Sequence, residues 1–379
     1  MNFDWLKLKN FRNYTELEFK VPTGVVVFLG ENGQGKTNLM EAFHYLLKGD
    51  SFRVHTTHSL IHNENLKLHE SALVHGRLTQ SGLNHEIKVK IDSGKKTVEW
   101  NGKRKTSAAL ASQFPLVLFS PESLSAIKDG PDQRRQLLDE IVQTHSLSSV
   151  KIIKDFKHAL KTRNRILKDV VRGQLPEHQG VALLESLDPT YLPLATELTV
   201  ARLRALKEIQ EDLQRAISAV LETTNVDISV EYLISSRNAY NWERSEILSQ
   251  LHSRSLELRG RELATGSSLV GPHKHDIRIL FSGKDSRFFC SQGQQRALIL
   301  SFKMAQILYH YRAHQVYPFL LLDDVLSELD PIRRTNLVKF LRDIPAQIFL
   351  TTTDLSFSMD FGDRRLNVFR IEKGKVQPQ

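Results

Sequence analysis

Residues 6–19 alternate apolar and polar positions, as half-buried strands do, and VVVFL at 25–29 is a continuous apolar run of the length a fully buried strand needs. GENGQGKTN follows as a glycine-rich turn and leads into LMEAFHYLL, which reads as a helix. Alternation returns between 71 and 100 (SALVHGRLT, HEIKVKI, KKTVEW), and Asn101-Gly102 after it is a hairpin-turn signal. The first helix is therefore expected inside a β-rich piece.

From about 133 to 222 the period changes. Ile152, Ile153, Phe156, Leu160, Leu167 and Val171 fall at helical spacing, and Leu194, Leu198, Ala201, Ala205, Ile209, Leu213, Ala216, Ile217 and Val220 repeat it. RGQLPEHQG at 172–180 reads as the loop between them. Two such helices predict an antiparallel arm or, equally, a compact helical bundle. After 265 the strand patterns return, in PFLLLDDVLSELDP and QIFLTTTD.

Composition narrows the class. At 379 residues, 40% hydrophobic and 25% charged, the chain is a folded protein of two domains or one large domain with an insertion. A net charge of +9 favours a polyanionic partner. The single cysteine, Cys290, excludes an internal disulfide framework, fits a reducing compartment, and reads as core filler more readily than as a nucleophile. MNFDWLKLKNF is no targeting segment, and no apolar run approaches the roughly 20 residues of a membrane span, so a cytoplasmic protein without membrane attachment is expected.

The chemistry concentrates in short blocks. Gly30, Glu31, Asn32, Gly33, Gln34, Gly35, Lys36 and Thr37 match G-x-x-x-x-G-K-T in full, between a strand and a helix. In such a loop backbone N–H groups point at phosphate, Lys36 neutralises the β and γ phosphates, and the Thr37 hydroxyl reaches Mg²⁺. FLLLD at 319–323 is a buried-strand run ending in Asp323, placed to hold Mg²⁺ beside Thr37, and Asp324 follows at once. Asp330-Pro331 reads as a helix cap with proline at the first helical position. CSQGQQR at 290–296 opens another helix, which Ser291 can cap while the first-turn N–H groups face an anion. His55 and His58 have a spacing a metal could use, but no cysteine or third ligand accompanies them and a zinc site is not expected.

In their order, the P-loop, S-Q-G-Q-Q, D-D and S-E-L-D blocks look like those of ABC-type ATPases that act on chromosomes, the SMC proteins among them. GENGQGKTN, FSPESL at 119–124, GPDQRRQLLDE at 130–140, GPHKHD at 271–276, SQGQQRALILSFKMA and YPFLLLDDVLSELD closely resemble the RecF family of recombinational repair proteins. The resemblance implies an α/β fold, an ABC-type P-loop ATPase head with a helical insertion forming a short antiparallel arm. Its expected parts are 1–132, the first half of the head, 133–262, the arm, and 263–379, the second half of the head. It implies a nucleotide site of residues 30–37 with Asn38, catalytic roles for Lys36, Asp323 and Asp324, and a signature of Ser291, Gly293 and Gln294 that serves ATP held by another subunit.

The implied activity is ATP-driven dimerisation on DNA with slow, DNA-stimulated hydrolysis. It would help recombinase loading at single-strand gaps during repair, replication and the SOS response. Implied partners are ATP and Mg²⁺, DNA with junctions or gaps, a second copy of the chain, and recombinase-mediator proteins. An SMC-like chromosome-structuring or scaffold protein that uses ATP without essential hydrolysis is the alternative; a transporter subunit is disfavoured by the basic charge and the SQGQQ block. Two departures from the wider ABC pattern point to slow turnover. Asp324 stands where Glu usually orients water, and Thr353 stands near the position of a histidine in transporters. Candidate DNA contacts are Lys95, Lys96, Lys103, Arg104 and Lys105, Arg134 and Arg135, and the basic positions from Lys151 to Arg172, although any one of them taken singly reads more readily as a solvated charge.

Overall fold

A computed structural model describes residues 1–379 except 55, 63–70, 93, 125, 129, 146 and 222–225, and the side chains of 144, 145 and 147. The chain divides into two compact units, one of Met1–Ser125, Arg215–Thr224 and Ser291–Gln379, the other of Ala126–Gln214 and Asn225–Cys290.

The first unit, the head, is built on two six-stranded sheets. One is antiparallel, in the order Tyr14–Lys20, Asn2–Phe11, Ala72–Gln80, Leu83–Asp92, Lys95–Trp100, Lys103–Arg104. Its alternating sequences put one face in the core and leave the other wet. Asn101 and Gly102 both take positive φ, 50° and 72°, as the tight hairpin after Lys95–Trp100 requires.

The second sheet runs Lys375–Pro378, Leu366–Glu372, Val25–Leu29, Ile348–Thr352, Phe319–Asp323, Leu116–Phe119, and all but its first strand are parallel. VVVFL and FLLLD are continuous apolar runs because such strands are covered on both faces. The helix Lys36–Lys48 joins the two sheets through one core. Phe43 lies 5.0 Å from Phe3 of the antiparallel sheet and 4.3 Å from Phe349 of the parallel one, ring centre to ring centre. That helix stops at Gly49, whose φ of 68° suits glycine and whose N–H bonds the Tyr45 carbonyl.

The second unit combines long helices with a four-stranded antiparallel sheet ordered Arg237–Asn238, Ile228–Ile234, Asp276–Phe281, Lys284–Asp285. Leu147–Val171 and Glu177–Leu221 pair antiparallel: Arg163 bonds Asp188, Leu167 packs with Leu184, and Gly180 faces Val170 so closely that a Cβ would collide with it. A third helix, Arg244–Thr265, adds Leu263 to the Leu167–Leu184 cluster.

Two sequence expectations change. The loop expected over 172–180 ends at Pro176, because the second helix already begins at Glu177 and continues through Pro189 and Pro193. Leu184, Tyr191, Leu192 and Ala195 are buried on both sides of those prolines, and that packing holds the helix against the cost of the missing N–H groups. Residues 263–290, expected with the head, cluster with the second unit, since Asp276–Phe281 pairs with Ile228–Ile234. No helix among the described residues is long and apolar enough to cross a membrane.

Candidate functional site

The loop after Val25–Leu29 owes its path to its glycines. At Gly30 a Cβ would lie 2.5 Å from the Ile371 carbonyl oxygen, so only glycine fits. Gly33 and Gly35 take φ of 81° and 111°, and Gly35 opens the helix Lys36–Lys48 with no side chain capping its N–H groups. An uncapped helix start behind a glycine cradle is a ready anion site. The Lys36 amine is buried and donates to the carbonyls of Gly30 (2.6 Å) and Glu31 (2.9 Å). Burial lowers its pKa, while Asp324 and Asp323 act to raise it.

Sheet order brings the acids to this loop. Ile348–Thr352 lies between the P-loop strand and Phe319–Asp323, so Thr37 and Asp323 meet across its end, hydroxyl to Oδ1 at 3.1 Å. The Thr351 hydroxyl also donates to that Oδ1, at 2.8 Å. Burial raises the Asp323 pKa, the bonds from Thr351 and Thr37 oppose the shift, and the charges of Asp324 and Glu122 add to it. Asp324 has a positive φ of 51°, and its Oδ1 is buried without a hydrogen-bond partner among the described residues. A buried carboxylate oxygen left unpaired is costly unless something else satisfies it.

Ser291 caps the helix Gln292–His314 as its sequence predicts, and it does so reciprocally. Its Oγ accepts from the Gln294 N–H at 3.2 Å, and its own N–H donates to the Gln294 side chain at 2.9 Å. A hydroxyl that accepts one bond still has its O–H to donate. At Gly293 a Cβ would come 2.7 Å from the Arg333 guanidinium, which is itself tied to Asp330. Arg296 bonds the Glu328 carbonyl at 2.6 Å and its carboxylate at 2.8 Å. The SQGQQR and SELD blocks, some thirty residues apart in the chain, are thus latched together. The signature helix packs on the edge strand Leu116–Phe119.

The side chains of several expected residues are engaged within the protein. The Gln34 side chain accepts from the Lys373 N–H at 2.8 Å, and Asn38 donates to Asn13 at 2.8 Å, so both brace the loop from outside. Thr353 is exposed just past the end of its strand. Arg134 is buried in a two-pronged pair with Asp276 (2.8 and 2.9 Å), and Arg135 donates to the His275 carbonyl and pairs with Asp132. Both are thus engaged within the second unit. Lys96 spends its amine on the Gly49 carbonyl, whereas Lys95, Lys103, Arg104 and Lys105 are exposed. His55 lies outside the described residues, and the Cys290 thiol is half-buried with its pKa raised by burial.

Other residues went unseen in the sequence. The Tyr14 hydroxyl donates to the Gly35 carbonyl at 3.0 Å, Asn13 to that of Gln34, and Arg12 grips buried Glu41 of the P-loop helix through two bonds of 2.7 and 2.8 Å. Their one signal was the turn FRNY, which interrupts the alternation. Glu122, within the FSPESL block, and Thr351 gave no sign of this role, because only strand order sets them beside Asp323.

Residues 3–377 match the RecF/RecN/SMC N terminal domain family. A DNA replication and repair protein RecF from Heliobacterium modesticaldum is 32% identical over 380 residues, 99% of each chain. Its counterpart from Geobacter sp. (strain M21) is 34% identical over 376 residues, 98% of each. The solved structure of the recombination mediator protein RecF-ATPrS in the RecFOR pathway superposes with a TM-score of 0.85 at 28% identity, covering 100% of this chain and 98% of that one. An Smc head bound to the C-winged helix domain of ScpA is alike in fold alone, with a TM-score of 0.55 at 16% identity over 100% of this chain and 97% of that one.

Proposed function

The chain belongs to the RecF family of DNA replication and repair proteins, and we propose that it is an ATP-dependent DNA-binding switch whose nucleotide site is completed by a second copy. One observation carries the reading, the separation of two phosphate-facing stretches inside one head. The P-loop strand and the strand under the signature helix are held apart by two others, about 14 Å at ordinary strand spacing. Ser291 and Gly293 are therefore turned to nucleotide held by another copy, and the Ser291 O–H has a bond left to give it.

The residues fit ATP and Mg²⁺. Gly30, Gly33 and Gly35 make a cradle that larger residues would block or strain, and Lys36 supplies a buried cation. Thr37 and Asp323 offer hard oxygen ligands for Mg²⁺, which neutralises phosphate charge when bound. Asp324, one methylene shorter than glutamate, orients water through its unpaired oxygen. A short carboxylate and an uncharged Thr353 favour slow turnover, so that ATP joins two heads and hydrolysis releases them.

DNA contacts are read from the helix Leu147–Val171. Lys151, Lys154, Lys157, Lys161, Arg165 and Lys168, with Arg172 just beyond, are all exposed at three- and four-residue spacing, a single basic stripe about 32 Å long at 1.5 Å per residue. Among the described residues only Arg165 of these has an acidic partner, Asp169 at 3.7 Å. Such a stripe suits a phosphate backbone and carries no sequence preference. With relatives named for DNA replication and repair, and a solved neighbour named as a recombination mediator, the setting is a cytoplasmic repair and SOS assembly at gapped DNA, alongside further mediator proteins. The scaffold alternative has only a likeness of fold in its favour.

Two mutants test the shared site. Lys36→Ala removes the cation and should abolish ATP binding and ATP-driven dimerisation. Ser291→Arg should leave ATP binding by the monomer intact yet prevent its self-pairing. Mixed, the two restore one whole composite site and should recover some ATP-dependent dimer in sedimentation. Loss of ATP binding by Ser291→Arg alone would place the signature in its own subunit's site and end this reading.

A further inference from the structure

Thr351 is fully buried on the strand between the P-loop strand and Phe319–Asp323, with Phe28 on one side and Asp323 on the other. Its hydroxyl donates to Asp323 Oδ1 at 2.8 Å and accepts from the Asp324 N–H at 2.8 Å. Its one proton is thereby used, and one of its two acceptor positions as well. The next residue, Thr352, accepts the Gly30 N–H on its carbonyl at 3.2 Å, so this strand end touches both the phosphate loop and the paired acids. Asp324 sits at φ 51°, a conformation a non-glycine residue keeps only when its surroundings hold it, and the Thr351 hydroxyl is the group bonded to its N–H.

We propose that Thr351 is a positioning residue of the hydrolytic site, whose single hydroxyl fixes the Asp323 carboxylate and the Asp324 backbone together and so sets the direction of the Asp324 carboxylate. It rests on the reading of the P-loop and Asp323-Asp324 as an ATP site. The neighbouring Ile348, Phe349 and Leu350 are buried apolar residues, and valine would suit the strand equally. The hydroxyl is therefore there for its two bonds. By donating to Asp323 it shares that acceptor with Thr37, which leaves the orientation of the carboxylate determined from two sides.

Thr351→Val keeps the shape and removes the hydroxyl. Its kcat should fall by about ten- to a hundredfold, the scale of a misplaced catalytic group, with KM nearly unchanged. In equilibrium titrations it should bind ATP like the wild type in EDTA but lose part of the gain that Mg²⁺ confers. Thr351→Ser should restore both, and in an Asp324→Ala background Thr351→Val should cause little further loss of kcat. A Thr351→Val protein with wild-type kcat and Mg²⁺ response overturns the proposal, as does a loss undiminished in the Asp324→Ala background. Should valine prevent folding, Thr351→Cys against Thr351→Ser carries the test, and equal activity of the two overturns it. A wild-type protein that neither binds nor hydrolyses ATP refutes instead the reading of the site itself.

Discussion

In the second unit, Arg134, Arg163 and Arg202 are buried with their guanidinium ends engaged by carboxylates, whereas in the head Lys36 rests on two carbonyls and Asp324 keeps a buried oxygen unpaired. Arg163 reaches Asp188 at 2.5 Å and Glu262 at 2.8 Å; Arg202 takes Asp139 at 2.8 and 3.1 Å and the Pro272 carbonyl at 2.7 Å. Matched charges of this kind hold a fold, and breaking one strands its partner. The unmatched charges of the head lie beside a glycine cradle at the ends of parallel strands, where a ligand can complete them. Burial of charge alone does not mark a site; incomplete pairing beside a cradle does.

The largest expected effect breaks a matched charge. Arg163→Ala strands Glu262, which is fully buried, and should cost about 3–5 kcal/mol of stability in denaturant unfolding. ATP titration of the folded mutant should be unaltered. A mutant with weakened ATP binding but wild-type unfolding would erase the distinction between the units.

A smaller loss should follow from acid. Burial holds the His273 pKa down at about 4, against an ordinary 6.5, and holds that of His275 well below 6.5, with Arg135 and Arg202 opposing protonation of both. Both are therefore neutral in the folded protein, and their contribution to stability is complete above pH 6.5. As pH falls from 6.5 towards 4 the unfolded chain takes up protons first, and His273 alone should withdraw up to roughly 3 kcal/mol. His273→Gln should flatten that part of the stability profile; an unchanged profile would show that the burial is not maintained in solution.

The smallest effect separates exposed cations from matched ones. Each of Lys154→Gln, Lys157→Gln and Lys161→Gln should reduce the slope of log K against log salt for duplex DNA by up to about 0.9, with stability unchanged. Arg134→Gln with Arg135→Gln should do the reverse, lowering stability and sparing the slope. Equal slopes for all of these variants would remove the stripe from the DNA surface.

The sequence is most legible where one stretch of chain fixes its own geometry. The P-loop, the Ser291 capping box, the Asp330-Pro331 helix start, the Asn101-Gly102 turn and the apolar runs of the parallel strands depend on backbone preference and local hydrogen bonds, and each stands where the pattern put it. It fell short where long-range packing decides. The helix Glu177–Leu221 begins inside the stretch that reads as a loop and runs on through Pro189 and Pro193 because buried neighbours hold it, and Arg134 and Arg135 read as surface cations because Asp276, which claims one of them, is some 140 residues away.

By itself, then, the sequence determined that the chain carries a phosphate loop, an acid pair and a second capped helix start, because each is written in contiguous residues. Strand order alone decided that Ile348–Thr352 lies between the loop and the acids, which sets Thr351 on Asp323 and Asp324, and that the signature helix packs on a different strand from the P-loop. Register between distant strands depends on the summed burial of both sheets around Phe43, and no local stretch of sequence encodes that sum.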